Sequence, residues 1–180
     1  MDVSRAVLLP HAPSSVTEAR QHLSSDLHSS GVLDAKVDDA ALIVSELLSN
    51  ALRHAAPLPP PFPAESVQIS WRLVIEPRAT DAGGWIEISV CDGGAETLPR
   101  IARPSLSALG GRGLGIVQCL AAKWGTEVDD DTTTVWAVVE LPVEDLDLGG
   151  SVSSEPAAAD DPARGAGAGT DRRMDVPTFL

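Results

Sequence analysis

The segment SELLSNALRHA, residues 45–55, places Glu46, Asn50 and His54 four residues apart. On a helix four residues advance by about 400°, so these side chains stack along one face. On a wheel centred on Glu46, Leu47, Ala51, Val44, Ala55, Leu48 and Leu52 fill an arc from roughly 100° to 240°. Ser45, Ser49, Arg53, Glu46, Asn50 and His54 fill the rest. Alone, that is an amphipathic helix with a solvated polar face. Leu42 and Ile43, at roughly −40° and +60°, break the pattern. Two large apolar side chains flanking Glu46 indicate that part of the face is covered or lines a cavity.

Two further stretches have chemical potential. In VCDGGAE a strand delivers Asp92 to a turn whose glycines, Gly93 and Gly94, allow torsions that other residues resist. A carboxylate there is placed to accept a hydrogen bond from a ligand amino group, though Asp-Gly is also a common turn signal. In GGRGLGIV, glycines 110, 111, 113 and 115 lead straight into a helix. Closely spaced glycines let backbone approach a ligand, and free N–H groups at a helix start attract anions. The run is not a P-loop, because no Gly-Lys-Ser/Thr follows, and it lacks the preceding strand of the dinucleotide fingerprint.

The elements that must position these residues can be read from periodicity. VSRAVLLP is a short strand, and SSVTEARQHLSSDLHSSG a helix with Ser capping candidates and a stop at Gly31. DAKVDDAALIVSELLSNALRHA is a second, stronger helix, broken by PLPPPFPAE. SVQISWRLVIE and WIEISVCD alternate as strands, with Val67, Ile69, Trp71, Leu73 and Ile75 on one face and Ile86, Ile88 and Val90 likewise. GLGIVQCLAAKWG reads as a helix ending in Gly125, and TTTVWAVVELP as a last strand closed by Pro142. The order β-α-α-β-β-loop-α-β predicts an α+β two-layer sandwich: a mixed, mostly antiparallel sheet with helices on one face.

Bulk properties set limits. The 180 residues suit one domain with a tail, and 43% hydrophobic content supplies a core. A net charge of −13 argues against direct nucleic-acid or anionic-membrane binding, while leaving a nucleotide ligand open. Cys91 and Cys119 have neither metal-ligand nor disulfide spacing and read as buried thiols. No apolar run approaches the ~20 residues of a membrane span, and the N-terminus has no signal pattern, so the expected location is cytoplasmic. The domain is expected to cover residues 1–142. Residues 143–180, rich in Gly, Ala, Pro and acid, read as a disordered tail that buries too little surface to offset its ordering entropy.

Taken in order, VSELLSNALRHA, VCDGG, GGRGLGIVQCLAAKWG and TTTVWAVVEL resemble the GHKL ATPase superfamily of gyrase-type, chaperone, histidine-kinase and MutL-type domains. Within it the chain is most similar to anti-sigma-factor serine/threonine-protein kinases of the RsbW/SpoIIAB type and their actinobacterial relatives. The resemblance spans roughly residues 3 to 142. It implies a Bergerat-type ATP-binding fold, with ATP and Mg2+ as ligands. It further implies that Asn50 holds Mg2+ and that Glu46 is the general base. Arg53 and His54 match polar positions facing the nucleotide. Asp92 matches the carboxylate that reads the adenine amine, Gly94 the glycine beside the base, and Thr134 a threonine near both. Gly111, Arg112, Gly113, Leu114 and Gly115 match the box whose backbone cradles phosphates. The segment from Ala95 to Gly110 would be the ATP lid.

The implied function is an ATP-binding regulator: an anti-sigma factor that phosphorylates an anti-anti-sigma partner and so switches partners. The alternative is a non-catalytic, ATP-dependent partner-binding module, to which Glu96 gives weight by standing where a further glycine is often found. A histidine-kinase catalytic half would need a phosphoacceptor helix pair around His11, His22 or His28, and only one helix precedes the box helix. Homodimers are common among the kinases resembled, but no interface can be read from the pattern.

Overall fold

The computed structural model describes residues 1–76, 83–95 and 113–147. Along the chain run β1 (Asp2–Pro10), α1 (Ser14–Ser29), α2 (Asp34–His54), β2 (Ser66–Ile75), β3 (Gly84–Asp92), α3 (Gly113–Leu120), β4 (Lys123–Asp129) and β5 (Thr132–Leu141). The strands form one sheet in the order β1-β2-β3-β5-β4, and every neighbouring pair is antiparallel. α1 packs on α2 and reaches β1 and β2, α2 lies against β3 and β5, and α3 packs between α2 and β4. The α+β two-layer architecture is the one expected.

Strand alternation decides which side chains meet the helices. Val67, Ile69, Trp71, Leu73 and Ile75 are all buried, as are Ile86, Ile88 and Val90 on β3. On β5 the inward set is Thr133, Val135, Ala137, Val139 and Leu141. Against this sheet α2 buries Val37, Ala40, Ala41, Ile43, Val44, Leu47, Leu48 and Ala51. The two apolar residues on its polar arc part ways: Ile43 is fully enclosed, whereas Leu42 is 45% exposed. Only the Ile43 flank of the stripe is covered.

Both ends of α1 are set by backbone chemistry. Ser15 does not cap the helix as expected; its buried hydroxyl donates to Pro10 O at 2.6 Å, pinning the end of β1 to the helix start. Gly31 ends α1 at φ +83°, a conformation that side-chain-bearing residues resist, and Val32 N reaches back to Leu27 O.

Several expectations are corrected. The third helix stops at Leu120, and residues 123–129 form β4, paired along its length with β5. Gly125 is no helix stop. It sits opposite Trp136, where an added Cβ would come within 2.7 Å of the indole. Cys91 is half-buried and Cys119 exposed, so neither is the buried thiol anticipated. The domain also continues past Pro142: a 3-10 turn at Val143–Asp145 leads to Leu146, which is buried and bridges Val32. Leu33 N donates to Asp145 O and Asp147 N to Gly31 O, which straps this segment to the α1–α2 junction. The remainder of the expected tail, residues 148–180, lies outside the described residues. Among those described, no helix is long and apolar enough to cross a membrane.

The strap gives a direct test. Leu146→Ala should destabilise the fold by about 2 kcal/mol or more in urea denaturation, as buried leucine truncations do. A residue in a detached tail would show no change.

Candidate functional site

Two of the three stretches meet at one end of the sheet, and the third is described only from residue 113, in α3, which packs on α2. α2 finishes at His54, and the chain turns outward through Ala55 in extended conformation. Ala56 N then donates to Gly94 O at 2.9 Å, and Gly93 N donates to Ala56 O at 2.8 Å. This reciprocal clasp fixes the turn after β3 to the end of α2. It explains the glycines: a Cβ at Gly93 would collide with the Pro57 carbonyl, and Gly94 adopts φ +81°.

On α2, Glu46 and Asn50 are half-buried, one helical turn apart on the same face. Neither has a hydrogen-bond or ion-pair partner among the described residues. Arg53 and His54 lie beyond them and are exposed, with Arg53 Nε donating back to Ser49 O at 3.0 Å. At the start of α3, Leu114 is buried, and a Cβ on Gly115 would meet no described atom within 4 Å. Protein packing among the described residues therefore does not demand glycine at 115. Gly113 opens the helix. Gly111, Arg112 and all of the expected lid, Ala95 to Gly110, except Ala95 itself lie outside the described residues.

Asp92, at the end of β3, is 4% exposed and points to the helix side. Its Oδ1 accepts a hydrogen bond from Gly94 N at 2.8 Å. Opposite it on β5 stands Thr133, buried, with Oγ1 3.4 Å from where a Gly94 side chain would begin. Thr134, the residue expected there, pairs with Cys91 and faces the other side of the sheet. The correction follows from strand parity, since neighbours on a strand point to opposite faces.

The family described as the histidine kinase-like ATPase domain matches residues 9–139, from the end of β1 through most of β5. The chain belongs to that family. The crystal structure of the RsbU and RsbW domains of Rv1364c from Mycobacterium tuberculosis is similar in fold, with a TM-score of 0.53 at 16% identity. That likeness covers 78% of this chain and 33% of the other, so this chain spans about a third of the mycobacterial one. No curated protein matches it by sequence.

One residue of this histidine kinase-like ATPase domain beside Asp92, Thr133, escaped sequence reasoning. It could have been found from parity with Val135, Ala137 and Val139, but Trp136 and Val138 make the opposite parity apolar as well.

Burial pushes the Asp92 carboxyl above its ordinary range, and the Gly94 N–H and a charged His11 pull it partly back. With the folded value above the unfolded one, the folded chain takes up this proton first as pH falls. The ionised carboxylate is then a cost to folding above its folded value, relieved as pH drops toward the unfolded value near 4. Asp92→Asn should thus raise the melting temperature of the ligand-free chain at pH 7, and the gain should vanish below about pH 4. Thermal melts across that range measure it.

Proposed function

We propose that this domain binds Mg2+-ATP between α2, the Asp92 turn and the start of α3, and transfers its γ-phosphoryl group to a serine or threonine of a small anti-anti-sigma protein. One observation carries the reading: the Ala56–Gly93/Gly94 clasp locks a buried carboxylate to the end of the helix that presents Glu46 and Asn50. Unpartnered, half-buried polar groups are costly as structural elements and useful as ligand contacts.

Each residue has a distinct task. Asp92 accepts from the exocyclic amine of adenine, with Thr133 beside it in place of Thr134. Gly94 lets backbone lie against the base. Gly113, Leu114 and Gly115, with Gly111 and Arg112 before them, surround the phosphates. Arg53 and His54 are cations or donors at the mouth. Among the described residues no three His, Cys, Asp or Glu side chains form a metal-binding group. Asn50 suits Mg2+, which takes few protein oxygens and fills its shell with phosphate and water, and when bound it would offset phosphate charge. Glu46 accepts the proton of the attacking hydroxyl as the new O–P bond forms and the bond to the β-phosphate oxygen breaks, releasing ADP. Phosphorylation adds nearly two negative charges to the partner, enough to weaken its hold on a chain of net charge −13 and free the domain for a sigma factor. The same fold in a structure containing an RsbW domain supports this reading. The reading puts the domain in the cytoplasm, where a homodimer is one assembly open to it.

Calorimetry with Mg2+-ATP tests the pocket. Asn50→Ala and Asp92→Asn should each weaken binding about tenfold or more. Glu46→Ala should retain ATP within about threefold while phosphate transfer drops by about 100-fold. Undiminished transfer by Glu46→Ala would remove the general-base assignment. Partner capture that needs ATP but yields no phosphoprotein would make the domain a binding module instead.

A further inference from the structure

Leu42 belongs neither to the core nor to the reaction proposed above. Of the large apolar side chains exposed among the described residues, it alone lies within a helix. It stands near the middle of the polar arc of α2 and is 45% exposed. Single exposed leucines are common, so its neighbours decide whether this one has a use. Glu46 lies one turn further along α2, and side chains at that spacing are adjacent, about 5–6 Å apart at Cβ. Asp38 lies one turn back and is exposed.

Most polar groups around this stripe are already engaged. Ser45 Oγ donates to Ala41 O at 2.6 Å, and Arg53 Nε turns back to Ser49 O. Asp39 is 3.6 Å from Lys36 Nζ, and Asp34 is 3.0 Å from His28 Nε2. Asp38 has no such partner among the described residues. Asn50, Glu46, Leu42 and Asp38 therefore form one open line along α2, each about 6 Å along the axis from the next and about 40° round it.

The chemistry gives that line a direction. Asp92 is clasped to the C-terminal end of α2, so a nucleotide whose adenine sits there runs its phosphates past Asn50 towards Glu46. In phosphoryl transfer the attacking and leaving oxygens lie roughly in line. With ADP leaving towards the clasp, the acceptor hydroxyl enters from beyond Glu46, over Leu42 and Asp38. An extended segment advances about 3.3 Å per residue and puts every second side chain on one face. Two of its residues therefore match one turn of α2.

We propose that Leu42 and Asp38 are the docking contacts for the phosphoacceptor: an extended segment whose serine or threonine meets Glu46, with a large apolar side chain two residues away on Leu42 and a Lys or Arg four residues away beside Asp38. This rests on the phosphotransfer reading above and narrows it to a substrate class. Leu42 supplies apolar area that becomes buried only when the acceptor is in place, and Asp38 selects the charge behind it.

The experiment uses the full chain, Leu42→Gln and Asp38→Lys, both at exposed helical positions and both to residues that favour helix. The probes are synthetic peptides with one serine, a leucine two residues away and an arginine four residues away, made in both directions. One control carries glutamine for the leucine, the other glutamate for the arginine. Phosphate transfer from Mg2+-ATP gives KM and kcat for each peptide, and calorimetry gives nucleotide affinity. The native chain should phosphorylate the leucine-arginine peptide, in one direction at least, with KM about tenfold or more below either control and a similar kcat. Leu42→Gln should erase the preference for leucine and keep that for arginine. Asp38→Lys should move the charge preference to the glutamate control. Both variants should bind Mg2+-ATP within about twofold of native, because neither side chain touches the nucleotide. A native chain that binds Mg2+-ATP but treats the peptides alike, or transfers to none, overturns the docking face and leaves the nucleotide site standing. Lost nucleotide affinity in Leu42→Gln would put Leu42 in ATP binding and likewise overturns it. A native chain that binds no Mg2+-ATP removes the nucleotide reading, and this face with it.

Discussion

Two backbone hydrogen bonds between Ala56 and the Gly93-Gly94 turn hold the site together. α2 and β3 are far apart in sequence, and a proline-rich connector separates them. The clasp adds to the packing of α2 against β3 and fixes the end of the helix to the turn that carries the carboxylate. Backbone groups leave no freedom in that contact, because Gly93 has no room for a side chain against Pro57 O. Residue choice at 93 and 94 is thus a consequence of close approach and positive φ, and the chemistry of Asp92 depends on it.

The clasp sits on a sheet whose interior is conventional. Alternating apolar residues of β2, β3 and β5 meet the buried stripe of α2, and their packing fixes which end of each strand reaches the site. At that end the apolar series gives way to Asp92 and Thr133, buried polar residues at the close of β3 and near the start of β5. An ionised carboxylate enclosed beside a core is costly unless hydrogen-bonded, and Asp92 has one backbone donor. The ligand-free fold therefore carries a residual electrostatic cost at this point, which the amino group of the proposed nucleotide would relieve. Under that proposal function and stability pull in opposite directions at residue 92.

The far end of the sheet has another task. The segment Val143–Asp147 returns to Gly31 and Val32, closing the α1–α2 junction with backbone bonds and a buried Leu146. Composition obscured this, because one buried leucine within an acidic stretch changes an average little. Local propensity likewise favoured carrying the third helix on to Gly125. Trp124, Thr126 and Val128 instead alternate along β4, since pairing with β5 closes a hairpin and makes room for the Trp136 indole over Gly125.

Much was legible in the chain alone. The two long helices, four of the five strands, the Gly31 stop and the common face of Glu46 and Asn50 follow from periodicity and turn chemistry, which act over a few residues. The ordered glycine and acidic motifs pointed to the superfamily. What tertiary structure decided were relations between distant segments. Thr133 rather than Thr134 faces Asp92 because the β3–β5 register sets the parity, and both parities of β5 are apolar enough to be read as inward. Ile43 is covered and Leu42 open because of which neighbours surround α2, a matter its helical wheel cannot settle.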